Sequence, residues 1–358
     1  VDSQDHRTTT ARKTPGAHRY GDQMPRQPTI RDVAVKAGVS YQTVSRVLND
    51  SPQLRPRTRE RVLAAIDELG FRPSAAARAL ATSRSGLIGI LAAESHSFYG
   101  TATAMAAIEQ AARDAGYRVP VVNAAPDAES LADGLAHLQR ESVEAIVVLA
   151  PQERALEAID SLAIGVPFVT LGATGRGADP RLLVDQAAGA RLATEHLLAH
   201  GHTRIAHIAG PQHWVEAHAR LDGFTARMSE AGLAPAAVIA GDWSAESGYR
   251  AGLRLLDEVP EVTAVVAGND QMALGLLHAC ADRRVRVPRD LSVVGFDDVP
   301  EAAHYQPPLT TIRQDFAEVG RRTIGVVLAE LRGETAAVDE PVPPELVERA
   351  STTRHDAG

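Results

Sequence analysis

Hydrophobic positions along the chain fall into three textures. Residues 1–28 carry no apolar period and are polar with scattered Pro and Gly, which predicts a disordered tail. From Thr29 apolar residues recur at three- and four-residue spacing. Ile30, Val33, Ala34 and Ala37 share one helical face, opened by the Thr-x-x-Asp spacing of "TIRD" and closed by Gly38. Ser40 is a candidate N-cap for a second helix with Val44, Val47 and Leu48 facing inward. A third helix, from about Thr58 to Leu69, lines up Val62, Ala65, Ile66 and Leu69 before Gly70 ends it. Three short helices with a Gly turn between the first two predict an all-α helix-turn-helix head over residues 29–73. Residues 74–85, "SAAARALATSRS", are small and have little to bury, so they read as a linker.

The third texture fills residues 86–351. Apolar runs ("LIGILAA", "VEAIVVLA", "VPFVTLG", "RIAHIAG", "VTAVVAGND", "LSVVGFDD") alternate with Ala-rich helical stretches. That alternation predicts an α/β body of doubly wound parallel sheets with helices on both faces. Its length suits two lobes with a cleft between them, and ligands in such folds sit beyond the carboxyl ends of the strands. Asp185, Asn269, Asp270, Asp297 and Asp298 fall at such ends. Residues 352–358 are expected to form a second disordered tail.

Charge divides the chain unevenly. The whole carries a formal net charge of −8, yet residues 29–84 hold ten Lys/Arg against five Asp/Glu, and residues 85–358 hold 22 against 37. A basic head on an acidic body favours nucleic-acid binding by the head alone. The single cysteine, Cys280, excludes an internal disulfide framework and fits a reducing cytoplasm; its apolar helical surroundings, "ALGLLHACA", make it core. No apolar run is long enough to span a bilayer, and the first 28 residues lack the apolar stretch of a signal peptide, so a soluble cytoplasmic protein is expected. Met24 offers a second place, besides Val1, for the natural chain to begin.

Catalytic patterns are missing. "GATGRG" has the wrong glycine spacing for a dinucleotide fingerprint, and there is neither a phosphate-loop lysine nor a nucleophile elbow. His196, His200, His202 and His207 crowd the stretch "EHLLAHGHTRIAH", but no Glu follows His196 as the zinc-protease pattern requires. The reading is a non-enzyme with no cofactor and no metal.

Tyr41, Gln42 and Arg46 project from the second helix, where Gln suits adenine and Arg suits guanine in the major groove. At this point a resemblance appears. "TIRDVAVKAGVSYQTVSRVLN" resembles the DNA-binding head of the LacI/GalR family of transcriptional regulators. The likeness continues in the family's order through "TRERVLAAIDELGFRP", "GDWSAESGY", "GNDQMALG", "SVVGFDD" and "YQPPLTTIRQDF", from Thr29 to about Ser351. It implies a homodimeric repressor on a palindromic double-stranded operator, with a periplasmic-binding-protein-like body that takes a small carbohydrate effector. The implied DNA contacts are Thr29, Ser40, Tyr41, Gln42, Thr43, Ser45, Arg46, Asn49 and Arg57. The linker becomes a hinge helix on DNA, and Leu80 is its minor-groove wedge, which kinks a flexible base step.

In the cleft the resemblance implies Arg220, Trp243, Asn269 and Asp297 as ligand contacts, with Phe316, Phe98 and Tyr99 as apolar walls. Arg, Asn and Asp suit adjacent hydroxyls, and an indole suits the apolar face of a sugar. The family member whose motifs match best has an acidic residue where this chain has Ala188, and serines where it has His213 and Glu216. Asp185 is the expected replacement acid. The resulting expectation is a repressor of carbohydrate-utilisation genes released by a sugar or glycoside. The alternatives are a purine-type co-repressor system and a solute-binding protein.

Overall fold

The computed structural model describes residues 28–48, 54–72, 84–93, 98–172, 177, 179–336 and 340–355, and the chain divides into two units at Ser83 and Arg84. In the first unit, α1 (Ile30–Ala37) starts at Thr29, whose side chain and that of Asp32 cap each other's backbone N–H groups. Gly38 ends it in the left-handed region at φ 60°. α2 (Tyr41–Leu48) begins at Ser40, whose hydroxyl accepts from the Thr43 N–H at 3.2 Å. α3 (Pro56–Leu69) begins two residues before Thr58, because Pro56 sits at its first turn with φ already set for a helix. Val33, Ala34, Ala37, Val44, Val47, Val62 and Ala65 are buried together at the centre.

The second unit is two parallel-sheet lobes. The first lobe holds β1 (Ile88–Ala92), α4 (Tyr99–Asp114), β2 (Val121–Asn123), α5 (Ala128–Arg140), β3 (Ala145–Leu149), α6 (Glu153–Asp160) and β4 (Phe168–Leu171). Its strand order is β2-β1-β3-β4. The second lobe holds α7 (Gln186–Ala199), β5 (Ile205–Ala209), α8 (Val215–Glu230), β6 (Ala237–Ala240), α9 (Ala245–Glu258), β7 (Ala264–Ala267), α10 (Asp270–Asp282), β8 (Ser292–Asp297) and β9 (Thr310–Arg313). The chain then returns through α11 (Phe316–Leu331), which packs on the first lobe, and ends with β10 (Glu345–Val347) on the second. The second sheet runs β10-β9-β8-β7-β5-β6, and only its edge pair, β10 with β9, is antiparallel. Each sheet has a buried apolar cluster on both faces, as strands with continuous apolar runs require.

The lobes are joined where the chain crosses between them. Val184 and Val342 on two crossovers form a parallel bridge, with Asp185 N–H donating to Val342 O at 3.0 Å and Val342 N–H to Leu183 O at 2.8 Å. A second backbone contact links residues 151–153 to 213–215, where Val215 N–H donates to Pro151 O at 3.0 Å.

The expected tail from residue 352 is ordered through His355, which corrects the boundary. Thr352 Oγ1 lies 2.9 Å from His196 Nε2, His202 Nε2 donates to Thr353 O at 3.1 Å, and His355 N–H donates to His200 O at 2.8 Å. His196, His200 and His202 thus hold residues 352–355, while His207 pairs with the Val266 carbonyl inside the sheet. Burial pushes the His202 imidazole down to about 4, so it stays neutral. Among the described residues no group of His, Cys, Asp and Glu is arranged to hold a metal ion. Likewise no described helix is long and apolar enough to cross a membrane. Cys280 is buried, and burial pushes its thiol up to about 12.

Two packing features yield tests. α9 and α10 touch backbone to backbone, and a methyl group on Gly275 would overlap the Ala245 carbonyl oxygen. Gly275→Ala gains helix propensity but overpacks that contact, so a net loss of about 1–3 kcal/mol is expected in urea denaturation followed by tryptophan fluorescence. An unchanged midpoint would contradict the close approach.

The second feature is Asp270, at the start of α10. Its carboxyl accepts from Val299 N–H at 2.9 Å and from the Thr311 hydroxyl at 2.6 Å, tying α10 to the turn after β8 and to β9. Burial first, and the nearby Asp297 charge second, push it from 3.8 to about 8. The folded chain therefore keeps a proton that the unfolded chain releases, and stability falls as pH rises across that window. Asp270→Asn removes this component, so the stability lead of wild type over variant should shrink between about pH 4 and pH 8. A wild-type pH slope in the variant would mean that Asp270 is ionised in the fold.

Candidate functional site

On the head, Tyr41, Gln42 and Arg46 are exposed on α2, with Gln42 and Arg46 one turn apart. Other residues of the expected DNA-contact set already have structural work. Thr29 is spent on the α1 cap, and the hydroxyls of Ser40 and Thr43 lie 2.9 Å from each other. Ser45 is half-buried, and Arg57 is exposed in the first turn of α3. Arg61 folds back onto the Ala37 and Gly38 carbonyls at the end of α1. Asn49 and Leu80 lie outside the described residues.

On the body, the lobes enclose a cleft of about 790 Å³, counting its open mouth. Arg220 comes from the second turn of α8, with its side chain 7% exposed, and Asp297 ends β8 at 6%. Four side chains close a ring. Arg220 Nε donates to Gln186 Oε1 at 2.8 Å, and Gln186 Nε2 donates to Gln314 Oε1 at 2.7 Å. Gln314 Nε2 donates to Asp297 Oδ1 at 2.6 Å, and Arg220 Nη2 reaches the same oxygen at 3.4 Å. Arg220 also donates to the Gly268 carbonyl. Burial pushes the Asp297 carboxyl up to about 6 against the pull of Arg220, and it lowers the Arg220 guanidinium from its ordinary value. Asp297 and Asp298 have φ of 109° and 53°, so this corner of the cleft holds backbone strain at two adjacent non-glycine residues.

The walls are aromatic. Phe98 meets Trp214 edge-on at 5.1 Å, Trp214 meets Trp243 at 5.9 Å, and Tyr99 meets Phe316 at 6.4 Å. Phe98 and Tyr99 come from the start of α4 in the first lobe yet pack against the core of the second. The Arg220 guanidinium stacks 3.8 Å from the Phe296 ring centre and 5.2 Å from that of Trp243. Trp243 is itself strained, at φ 72°, and Asn269 holds it there by donating from Nδ2 to its carbonyl at 3.0 Å. Asn269 also caps α10 through Met272 N–H at 2.8 Å, so it lines the cleft while its amide orients the loop beside it.

Of the expected ligand set, Phe98, Tyr99, Arg220, Trp243, Asn269, Asp297 and Phe316 all line this one cleft. Asp185 does not. Its carboxylate caps α7 at Ala188 N–H, 2.8 Å away, and the cap turns the acid from the cleft while the next residue, Gln186, lines it. Sequence reasoning passed over Gln186, Gln314 and Trp214. The stretches "VDQAAG" and "TIRQDF" contain the two glutamines, but nothing in their spacing shows that the crossovers bring them together.

Comparisons with known proteins agree with both units. Residues 29–74 match the family model "Bacterial regulatory proteins, lacI family", and residues 194–352 match the "Periplasmic binding protein-like domain" model. The chain is 36% identical to the lactose operon repressor of Escherichia coli (strain K12) over 326 residues, 90% of each protein. It is 33% identical to the transcriptional repressor PurR of Haemophilus influenzae (strain PittEE) over 332 residues, 90% of this chain and 98% of that one. A solved structure of the lac repressor dimer bound to operator and the anti-inducer ONPF superposes with a TM-score of 0.79 at 34% identity, covering 92% of this chain and all of that one. With a helix-turn-helix head, a two-lobed α/β body and this likeness over nine-tenths of its length, the chain belongs to the lacI family of bacterial regulatory proteins.

Proposed function

We propose that the protein is a homodimeric transcriptional repressor whose head binds a palindromic operator and whose cleft takes a small sugar or glycoside that releases it. One observation carries the effector class. A buried arginine and carboxylate, fixed by two glutamines, face a cleft walled by indole and phenyl rings. Fixed forks of donors and acceptors suit adjacent hydroxyls, and aromatic faces suit the C–H face of a pyranose. Tyr41, Gln42 and Arg46, exposed together on α2, support base reading in the major groove. The operator-bound lac repressor dimer among its relatives supports the same partner and assembly.

Sugar in the cleft favours one lobe arrangement, and the operator favours the other. This is linkage between two sites, so operator weakens sugar binding by the same factor as sugar weakens operator binding. The likeness to a PurR repressor favours a second reading, in which a purine-type ligand tightens DNA binding.

Operator occupancy of wild type and Asp297→Asn, with and without ligand, separates the two. The amide keeps an acceptor for Arg220 but loses a charge-assisted hydrogen bond to ligand, about 1.5–3 kcal/mol, or roughly a ten- to hundredfold higher ligand requirement. The sugar-induced repressor then stays on its operator and ignores sugar. The co-repressor system behaves oppositely: a folded variant fails to occupy operator because it has lost its ligand. For the head, Arg46→Ala should cost about 1–3 kcal/mol and relax preference at one base pair, whereas Arg57→Ala weakens all sequences alike. Retained base preference after Arg46→Ala would rule out α2 as the reading helix.

A further inference from the structure

Two polar atoms in the cleft lack partners. Glu216, in the first turn of α8, lines the cleft with a carboxylate whose Oε2 is sealed from solvent and makes no hydrogen bond. Trp243 lines it too, and its indole Nε1 is buried with no acceptor. Both are costly to leave unpaired, and the cost disappears when a ligand supplies the missing half of each bond. Glu216 needs a donor and Trp243 needs an acceptor. An ammonium group supplies only the first, and a phosphate or carboxylate only the second. A hydroxyl supplies either.

Charge points the same way. Among the described residues that line the cleft, Arg220 is the one cation, and the ring ties it to Asp297, Gln186 and Gln314. Glu216, one helical turn away, shares that cation with Asp297, so the described lining carries one acid in excess. Burial raises its carboxyl above the ordinary range, against the pull of Arg220. An anionic ligand brought beside it finds no free positive partner among the described lining residues.

We propose that Glu216 is a specificity-determining residue of the cleft, and that with the Trp243 indole it selects an uncharged polyhydroxy ligand and rejects the phosphorylated or acidic form of the same molecule. The inference rests on the reading of the cleft as an effector site.

The chain contains two tryptophans, Trp214 and Trp243, and both line the cleft, so tryptophan fluorescence reports its occupancy directly. The full chain is titrated with matched pairs: neutral hexoses, pentoses and disaccharides beside their phosphates, and neutral nucleosides beside their monophosphates. Wild type should bind the neutral member of a pair about a hundredfold more tightly than its phosphate, because like charges meet in a dry site. Glu216→Gln removes the charge at constant volume, so neutral binding should weaken about tenfold or more by the lost charge-assisted hydrogen bond while phosphate binding does not. The discrimination should therefore fall at least about tenfold. A phosphate that binds wild type as tightly as its neutral partner would overturn the inference, and that arm needs no variant to fold. Discrimination unchanged in folded Glu216→Gln would overturn it as well. Binding of neutral nucleosides alone, still lost on phosphorylation, would uphold the inference while removing the sugar reading. Binding of no neutral compound would overturn both.

Discussion

Arg220 is a cation enclosed where the second lobe meets the first, and the arrangement of the cleft follows from keeping it paired. Its donors go to Gln186, to the Gly268 carbonyl and to Asp297, and its flat face lies on Phe296. Removing one partner from such a buried pair leaves an uncompensated charge and typically costs about 3–5 kcal/mol. Gln314 bridges Gln186 and Asp297, so the ring is closed and each member fixes the next. Rigid polar groups of this kind suit a site that must distinguish one hydroxyl pattern from another.

The ring's position matters as much as its chemistry. Gln186 follows the crossover at Val184, and Gln314 precedes the return of the chain into α11. Half of the ring therefore belongs to the segments that join the lobes, and half to the ends of α8 and β8. A ligand that replaces any of these bonds acts on the joint between lobes as well as on its own binding site. It shifts the lobe arrangement only by as much as it binds one arrangement better than the other. Phe98 and Tyr99, carried by the first lobe but packed on the core of the second, add an apolar contact that the same rearrangement must break or keep.

Much of this was legible in the residues. Caps at Thr29, Ser40, Gly38 and Gly70 are local chemistry, and local chemistry fixes where helices begin and end. Strands β1, β3, β4, β5, β7 and β8 stand out because strands buried on both faces read as unbroken apolar runs. β2, β6 and β10 gave no such run. They are edge strands, half exposed, and are held by pairing rather than by burial of their own side chains, whereas β4, also at an edge, is mostly buried and keeps its apolar run.

The cleft divides in the same way. Asn269 and Asp297 were legible because loops after parallel strands must lie at one end of a sheet, whereas Arg220 and Trp243 came from the family resemblance alone. The sequence by itself also determined the basic head, the acidic body and the order of elements. Only the tertiary structure decided that Asp185 caps a helix while Gln186 faces the ligand, since one residue along a turn reverses the direction of a side chain. It alone brought Gln314 to Gln186 across 128 residues, clasped residues 352–355 against the histidines of α7 and the turn after it, and left Glu216 and Trp243 unpaired. Partners so far apart along the chain meet only through the path of the backbone between lobes, and no local propensity encodes that path.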